Sequence, residues 1–246
     1  MVADSDLFAE DRMKLLKWIP LLSLAVVCAS FAPLPAAQPA AVAAQPDWLT
    51  LVGLYPQLGT MTAQEELAIL LWLQNSRTAQ DVARAQSEAT PSFGCFAGDI
   101  HLNGADGMVQ RPIEIADFPR TEAVLDQARA DVLPILESLQ NIFLRPRPFV
   151  SFPAVMPALP EPPTYSYPST HATLGALFCA ILCQYDQPDR DALMATANLL
   201  GTDRVLGGVH YPSDADAGQR LGKAFAAWWI DSHLALIQTA CPEWNH

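Results

Sequence analysis

The chain has 246 residues, 51% hydrophobic and only 16% charged, with a formal charge of −12 and a pI of about 4.6. That balance suits a packed globular core and excludes an intrinsically disordered chain. So acidic a chain repels phosphate backbones, which argues against nucleic-acid binding and leaves small molecules as partners.

Residues 1–44 read as an export signal. Lys14 and Lys17 supply a basic start, and Trp18 to Ala32 is an almost unbroken apolar run. Ala41 with Ala43, or Val42 with Ala44, suits a cleavage site. Met13 is an alternative start, because Asp4, Asp6, Glu10 and Asp11 sit badly in a basic leader. The run is short against the roughly 20 residues needed to span a bilayer. The expectation is therefore cleavage, a periplasmic or secreted product, and no stable membrane insertion afterwards. Cys28 follows Val27, too large for a lipidation site. Cys95, Cys179, Cys183 and Cys241 remain, as two disulfides or as buried free thiols. Cys179 and Cys183, one helical turn apart, are the pair least suited to a bond.

Residues 45–62 read as an irregular arm ahead of a helical domain spanning 63–246. Ala63 to Ala89 is a predicted helix, with Leu67, Leu70, Leu71, Leu73 and Val82 near helical spacing and no Gly or Pro. Thr90 to Pro119 reads as loop. A second helix is predicted from Thr121, its N-cap, to about Leu144, with a kink at Pro134 and an end at Pro146 and Pro148. Six prolines between Phe149 and Pro168 make a long surface connection. Ser169 caps a third helix running to about Tyr185. A fourth runs from Pro188 to Leu206 and stops at Gly207-Gly208, and a fifth from Pro212 to about Thr239. Strand signals are nearly absent, so the fold class is all-α, a single-domain helical bundle.

Three polar segments stand at predicted helix ends: Arg145-Pro146-Arg147-Pro148, Tyr167-Pro168-Ser169-Thr170-His171, and Arg204 followed by His210 and Asp214. Together they suit a tetrahedral oxyanion. Arginines offer planar forks of donors to phosphate oxygens, and a helix start offers unpaired N–H groups beside the Ser169 hydroxyl. Two histidines allow one nucleophile and one general acid. Asp214, one turn beyond His210, can orient an imidazole. A metal site lacks a third clear ligand.

In order and spacing these blocks resemble the class A non-specific acid phosphatases and the wider type 2 phosphatidic acid phosphatase superfamily, which includes the vanadium haloperoxidases. The family pattern is K-x6-R-P, then P-S-G-H, then S-R-x5-H-x3-D. It falls here on Gln140 to Pro148, Pro168 to His171, and Asp203 to Asp214. The resemblance implies an all-α bundle without a metal or other cofactor, and hydrolysis of a small-molecule phosphate ester: phosphomonoesters, or alternatively lipid phosphates or diphosphates. It assigns His210 as the nucleophile that becomes phosphorylated, Asp214 as its orienting acid and His171 as the general acid. It assigns phosphate binding to Arg147, Arg204, Ser169 and the amide of Thr170. Three positions depart from the pattern. Gln140 replaces the phosphate-binding lysine, Thr170 a glycine and Asp203 a serine. Gln140 can donate but cannot neutralise charge, a loss that Arg145 could offset, and Asp203 places a negative charge beside Arg204. Two other readings use the same residues: a non-catalytic member that binds phosphate or another anion, and a vanadate-dependent haloperoxidase.

Overall fold

The structure is a computed structural model that describes residues 44–103, 110–112 and 114–244. The expected signal at 1–44 lies, but for its last residue, outside them. Helices are α1 (Trp48–Val52), α2 (Met61–Ser76), α3 (Ala79–Ser87), α4 (Pro119–Phe143), α5 (Pro148–Ser151), α6 (Thr170–Leu182), α7 (Arg190–Leu206), α8 (Pro212–Ser232) and α9 (Leu234–Ala240). Two three-residue strands, β1 (His101–Asn103) and β2 (Gln110–Pro112), pair antiparallel within the segment expected to be loop. They are too small to alter the all-α class.

The centre of the fold is α6, and its sequence explains why. It is apolar on every side, so no face can be left to water, and Ala172 to Cys179 and Ile181 to Leu182 are buried. Ser169 caps it as expected, its hydroxyl accepting from the Ala172 amide at 3.4 Å. Helices α7 and α8 pack on either side. Close approach is possible because the contact positions are small. A methyl added at Gly218 would sit 2.5 Å from the Ser169 carbonyl oxygen, and one at Gly201 3.0 Å from Ala172. Around this centre, Phe96, Phe118, Leu136, Phe178, Phe225 and Trp229 belong to one apolar core.

Several boundaries differ from the sequence expectations. The arm is not wholly irregular: Asp47 caps α1, whose Trp48 packs on Phe225 and Trp228 of α8. The first long helix is two, because Thr78 and Asp81 form a capping box that starts α3 afresh. Thr121 does not cap α4, which begins at Pro119. Instead the Glu243 carboxylate, far along the chain, accepts from the amides of Arg120 and Thr121 at 2.7 and 2.8 Å. Helix α4 continues through the exposed Pro134 and ends at Leu144, whose φ of 52° is left-handed. The fifth helix is interrupted at His233. The four described cysteines, Cys95, Cys179, Cys183 and Cys241, are free thiols, and no described helix is long and apolar enough to cross a membrane.

Candidate active site

The three polar segments converge where α6, α7 and α8 meet. Helix α7 ends at Gly207, Gly208 turns the chain with a φ of +77°, and His210 follows just ahead of α8. Asp214 is in the first turn of α8, fully buried. One carboxylate oxygen accepts from the Tyr211 amide at 2.8 Å, from the Ser166 hydroxyl, and from Nδ1 of His210 at 3.2 Å. The other accepts from Arg145 at 2.5 Å.

Arg145 points away from the cavity, so it does not stand in for the missing lysine. Its guanidinium bridges Asp214 to Glu66, 2.8 Å away on α2, and stacks on Tyr211 with 3.8 Å to the ring centre. Glu66 in turn accepts from the Ser213 amide at 2.8 Å. This buried Glu66–Arg145–Asp214 chain holds His210 from behind. Asp214 is kept below its ordinary pKa: burial pushes it up, but the His210 hydrogen bond and the Arg145 charge outweigh that.

With Nδ1 donating to Asp214, the lone pair of His210 lies on Nε2, on the cavity side. Burial, then the nearby Arg147 charge, pushes the ring down to about 4, so it is neutral at ordinary pH. Nη1 of Arg147 donates to Nε2 from 2.8 Å. The rest of that guanidinium is held by Val209 and Thr164 carbonyls and the Thr164 hydroxyl, each at 2.9 Å. His171, in the first turn of α6, faces the same space and is pushed down to about 3 by burial and by the charges of Arg204 and His210. Its Nε2 is 3.2 Å from the Ala89 carbonyl.

Arg204 comes from the last turn of α7. Its Nη2 donates to the Ala85 carbonyl and lies 3.5 Å from Glu88, and its Nε is buried with no hydrogen-bond partner among the described groups. Asp203 makes its hydrogen bonds to Arg84 rather than to Arg204, although its charge still reaches Arg204. Both of its oxygens are taken by Arg84, at 2.7 and 2.9 Å.

The result is a cavity of about 390 Å³ whose wall includes Arg147, Thr170, His171, Arg204 and His210, with a lip from Leu159 to Thr164. Five of the eight residues expected at the site line it. Asp214 stands behind His210, as an orienting group should. Ser169 and Gln140 lie behind the wall: the Ser169 hydroxyl is used as a helix cap, and Gln140 donates to the Pro168 carbonyl at 3.0 Å and the Thr170 hydroxyl at 3.3 Å. Among the described residues no three His, Cys, Asp or Glu side chains cluster for a metal. A second cavity of about 360 Å³, between α6, α7 and α8, contains Cys179, Cys183 and Lys223 but neither histidine.

Sequence reasoning missed Glu66, Ser166, Arg84 and Glu88. Glu66 had a signal, a charge three residues after Ala63 and four before Leu70 on the buried face of α2. Arg84 and Glu88 had none, since they act across the fold.

Residues 132–237 match the PAP2 superfamily. The chain is 38% identical over 77 residues to the lipid A 1-phosphatase of Rhizobium etli, covering 31% of each protein. It is 45% identical over 65 residues to the lipid A 1-phosphatase of Rhizobium johnstonii, covering 26% of this chain and 25% of that one. The matches thus span less than a third of those relatives. In fold it is similar to a transmembrane PAP2 type phosphatidylglycerolphosphate phosphatase from Bacillus subtilis, with a TM-score of 0.51 and 17% identity over 76% of this chain and 92% of that one.

Proposed function

Because residues 132–237 are a PAP2 superfamily domain, we propose that this chain is a metal-independent phosphatase that hydrolyses phosphomonoesters, lipid phosphates first among them, through a phosphohistidine. The carrying observation is His210: a buried, neutral imidazole pinned by Asp214 at Nδ1, with Nε2 turned toward Arg147 and the cavity. The resemblance of the whole motif set, and the lipid A 1-phosphatase names of the matched relatives, support the reaction and the substrate class.

The ester phosphate enters between Arg147 and Arg204, whose donors and the Thr170 amide take its non-bridging oxygens. Bringing a dianion beside His171 raises that ring's proton affinity, so it arrives protonated. Nε2 of His210 attacks phosphorus, the ester P–O bond breaks, and His171 gives its proton to the leaving oxygen. Asp214 and the Arg145–Glu66 pair behind it hold the imidazole in place as it becomes cationic. Water then attacks the phosphohistidine, His171 accepts its proton, and phosphate leaves with His210 restored. The sequence of residues 1–44 supports export, with the reaction taking place in the periplasm or outside the cell.

The test is turnover of phosphatidic acid, a glycolipid 1-phosphate and an aryl phosphate by purified protein in the presence of EDTA. Activity should survive the chelator and be inhibited by vanadate, and an acid-labile phosphate should be trapped on one histidine. His210→Ala should be inactive. His171→Ala should lose about 10²–10⁴-fold, most with poor leaving groups. A fully active His210→Ala, or activity lost to EDTA and restored by a divalent ion, would overturn the reading.

A further inference from the structure

Glu88 caps the C-terminal end of α3 and is buried, 8% exposed, at the edge of the candidate site. Within residues 85–89, three groups reach the site's side chains: the Ala85 carbonyl and the Glu88 carboxylate meet Nη2 of Arg204, and the Ala89 carbonyl meets His171. This stretch lies upstream of residue 132, where the PAP2 match begins. A carboxylate 3.5 Å from a phosphate-binding arginine is a competitor for it. An anion arriving at Arg204 meets a like charge that cannot move away into water.

Resting on the reading of Arg204 as a phosphate ligand, we propose that Glu88 is a built-in anion that occupies Arg204 in the empty site and must take up a proton for an oxyanion to bind well. Glu88 thereby acts as a positioning residue that makes binding favour acid pH. The groups facing it are Arg84 on its own helix and Asp203 and Arg204 on α7, with His171 of α6 held by the adjoining backbone and Cys95 facing Arg204. Burial and the Asp203 charge hold the Glu88 carboxyl up at about 7 against the pull of Arg204 and Arg84. A dianion beside it drives the proton uptake further. In the empty site His210 and His171 titrate near 4 and 3, below this window; a bound dianion also raises His171, so the share of the slope that belongs to Glu88 is the share lost in Glu88→Gln.

The probe is sulfate, a tetrahedral dianion whose own charge is constant from about pH 5.5 to 8.5, titrated calorimetrically into the full chain. Wild type should bind it roughly tenfold more tightly at the acid end, the difference between a charge-assisted contact that is free and one already engaged. Glu88→Gln should lose most of this slope and bind more tightly than wild type at the alkaline end, and Glu88→Asp should retain the slope. A wild-type affinity that does not change across this range overturns the inference, even if Glu88→Gln fails to fold. So does a slope that persists unchanged in Glu88→Gln. Arg204→Ala should abolish binding; if it does not, the phosphate-site reading itself fails, and the inference with it.

Discussion

Gln140 is buried and spends both of its amide hydrogen bonds on the turn that leads into α6. A lysine there could donate to the same two acceptors while adding a full charge directly behind Thr170. Gln140→Lys is therefore expected to raise kcat/KM on an aryl phosphate by up to about tenfold, the gap between a neutral and a charged donor to an oxyanion. If the variant folds and kcat/KM falls, the site is built around the amide, and a different substrate is the better explanation. Asp203 tells the opposite story. Placing the family's serine at that position strands Arg84, because both oxygens of Asp203 bind Arg84. Arg84 is partly exposed and water replaces some of what is lost, so Asp203→Ser should cost about 1 kcal/mol of stability in denaturant unfolding. In an Arg84→Gln background the cost should shrink, as coupled partners require.

At the scale of elements, the site depends on how closely α6 can approach α8. A methyl at Gly222 would collide with the Thr173 carbonyl oxygen and come within 2.9 Å of the Ala176 side chain. Neither helix can yield without moving His171, in the first turn of α6, or Asp214, in the first turn of α8. Gly222→Ala should therefore lose about 1–3 kcal/mol by overpacking, seen as a lower Tm, together with reduced kcat. Gly98→Ala, where an added methyl meets nothing within 4 Å, should change neither. Helix α3 shows how element boundaries were partly legible. The Thr78-x-x-Asp81 capping box is a local signal that was present in the chain and overlooked for want of a Gly or Pro. The capping of α4 by Glu243 was not legible, since it joins residues 122 positions apart.

For the whole molecule, burying two neutral histidines ties stability to pH. His210 and His171 are pushed below 6.5, to about 4 and 3, so the unfolded chain takes up their protons first as pH falls. Their stabilising contribution is present above pH 6.5 and is lost as pH drops through those values, at about 1.4 kcal/mol per pH unit for each ring. Glu88, raised to about 7, works in the opposite sense between 7 and 4.5, where only the folded chain holds its proton. The net slope is that of one histidine over the shared range and steeper below it. Unfolding free energies measured from about pH 7 to 4 should fall in wild type and fall less in His210→Gln; equal slopes would refute the assignment. The sequence by itself determined the helical class and the positions of α4, α6, α7 and α8, and its motif blocks, through their resemblance to a known family, named His171, His210, Asp214, Arg147 and Arg204 as candidates. Helix periodicity, prolines, and the spacing of residues around a helix end are local properties, written in consecutive residues. Only the tertiary structure decided that Arg145 braces Asp214, that Gln140 supports the wall rather than facing the cavity, and that Arg84 and Glu88 of α3 meet Asp203 and Arg204. Those pairings join segments far apart in the chain, and which charge neutralises which is settled only when packing removes water from between them.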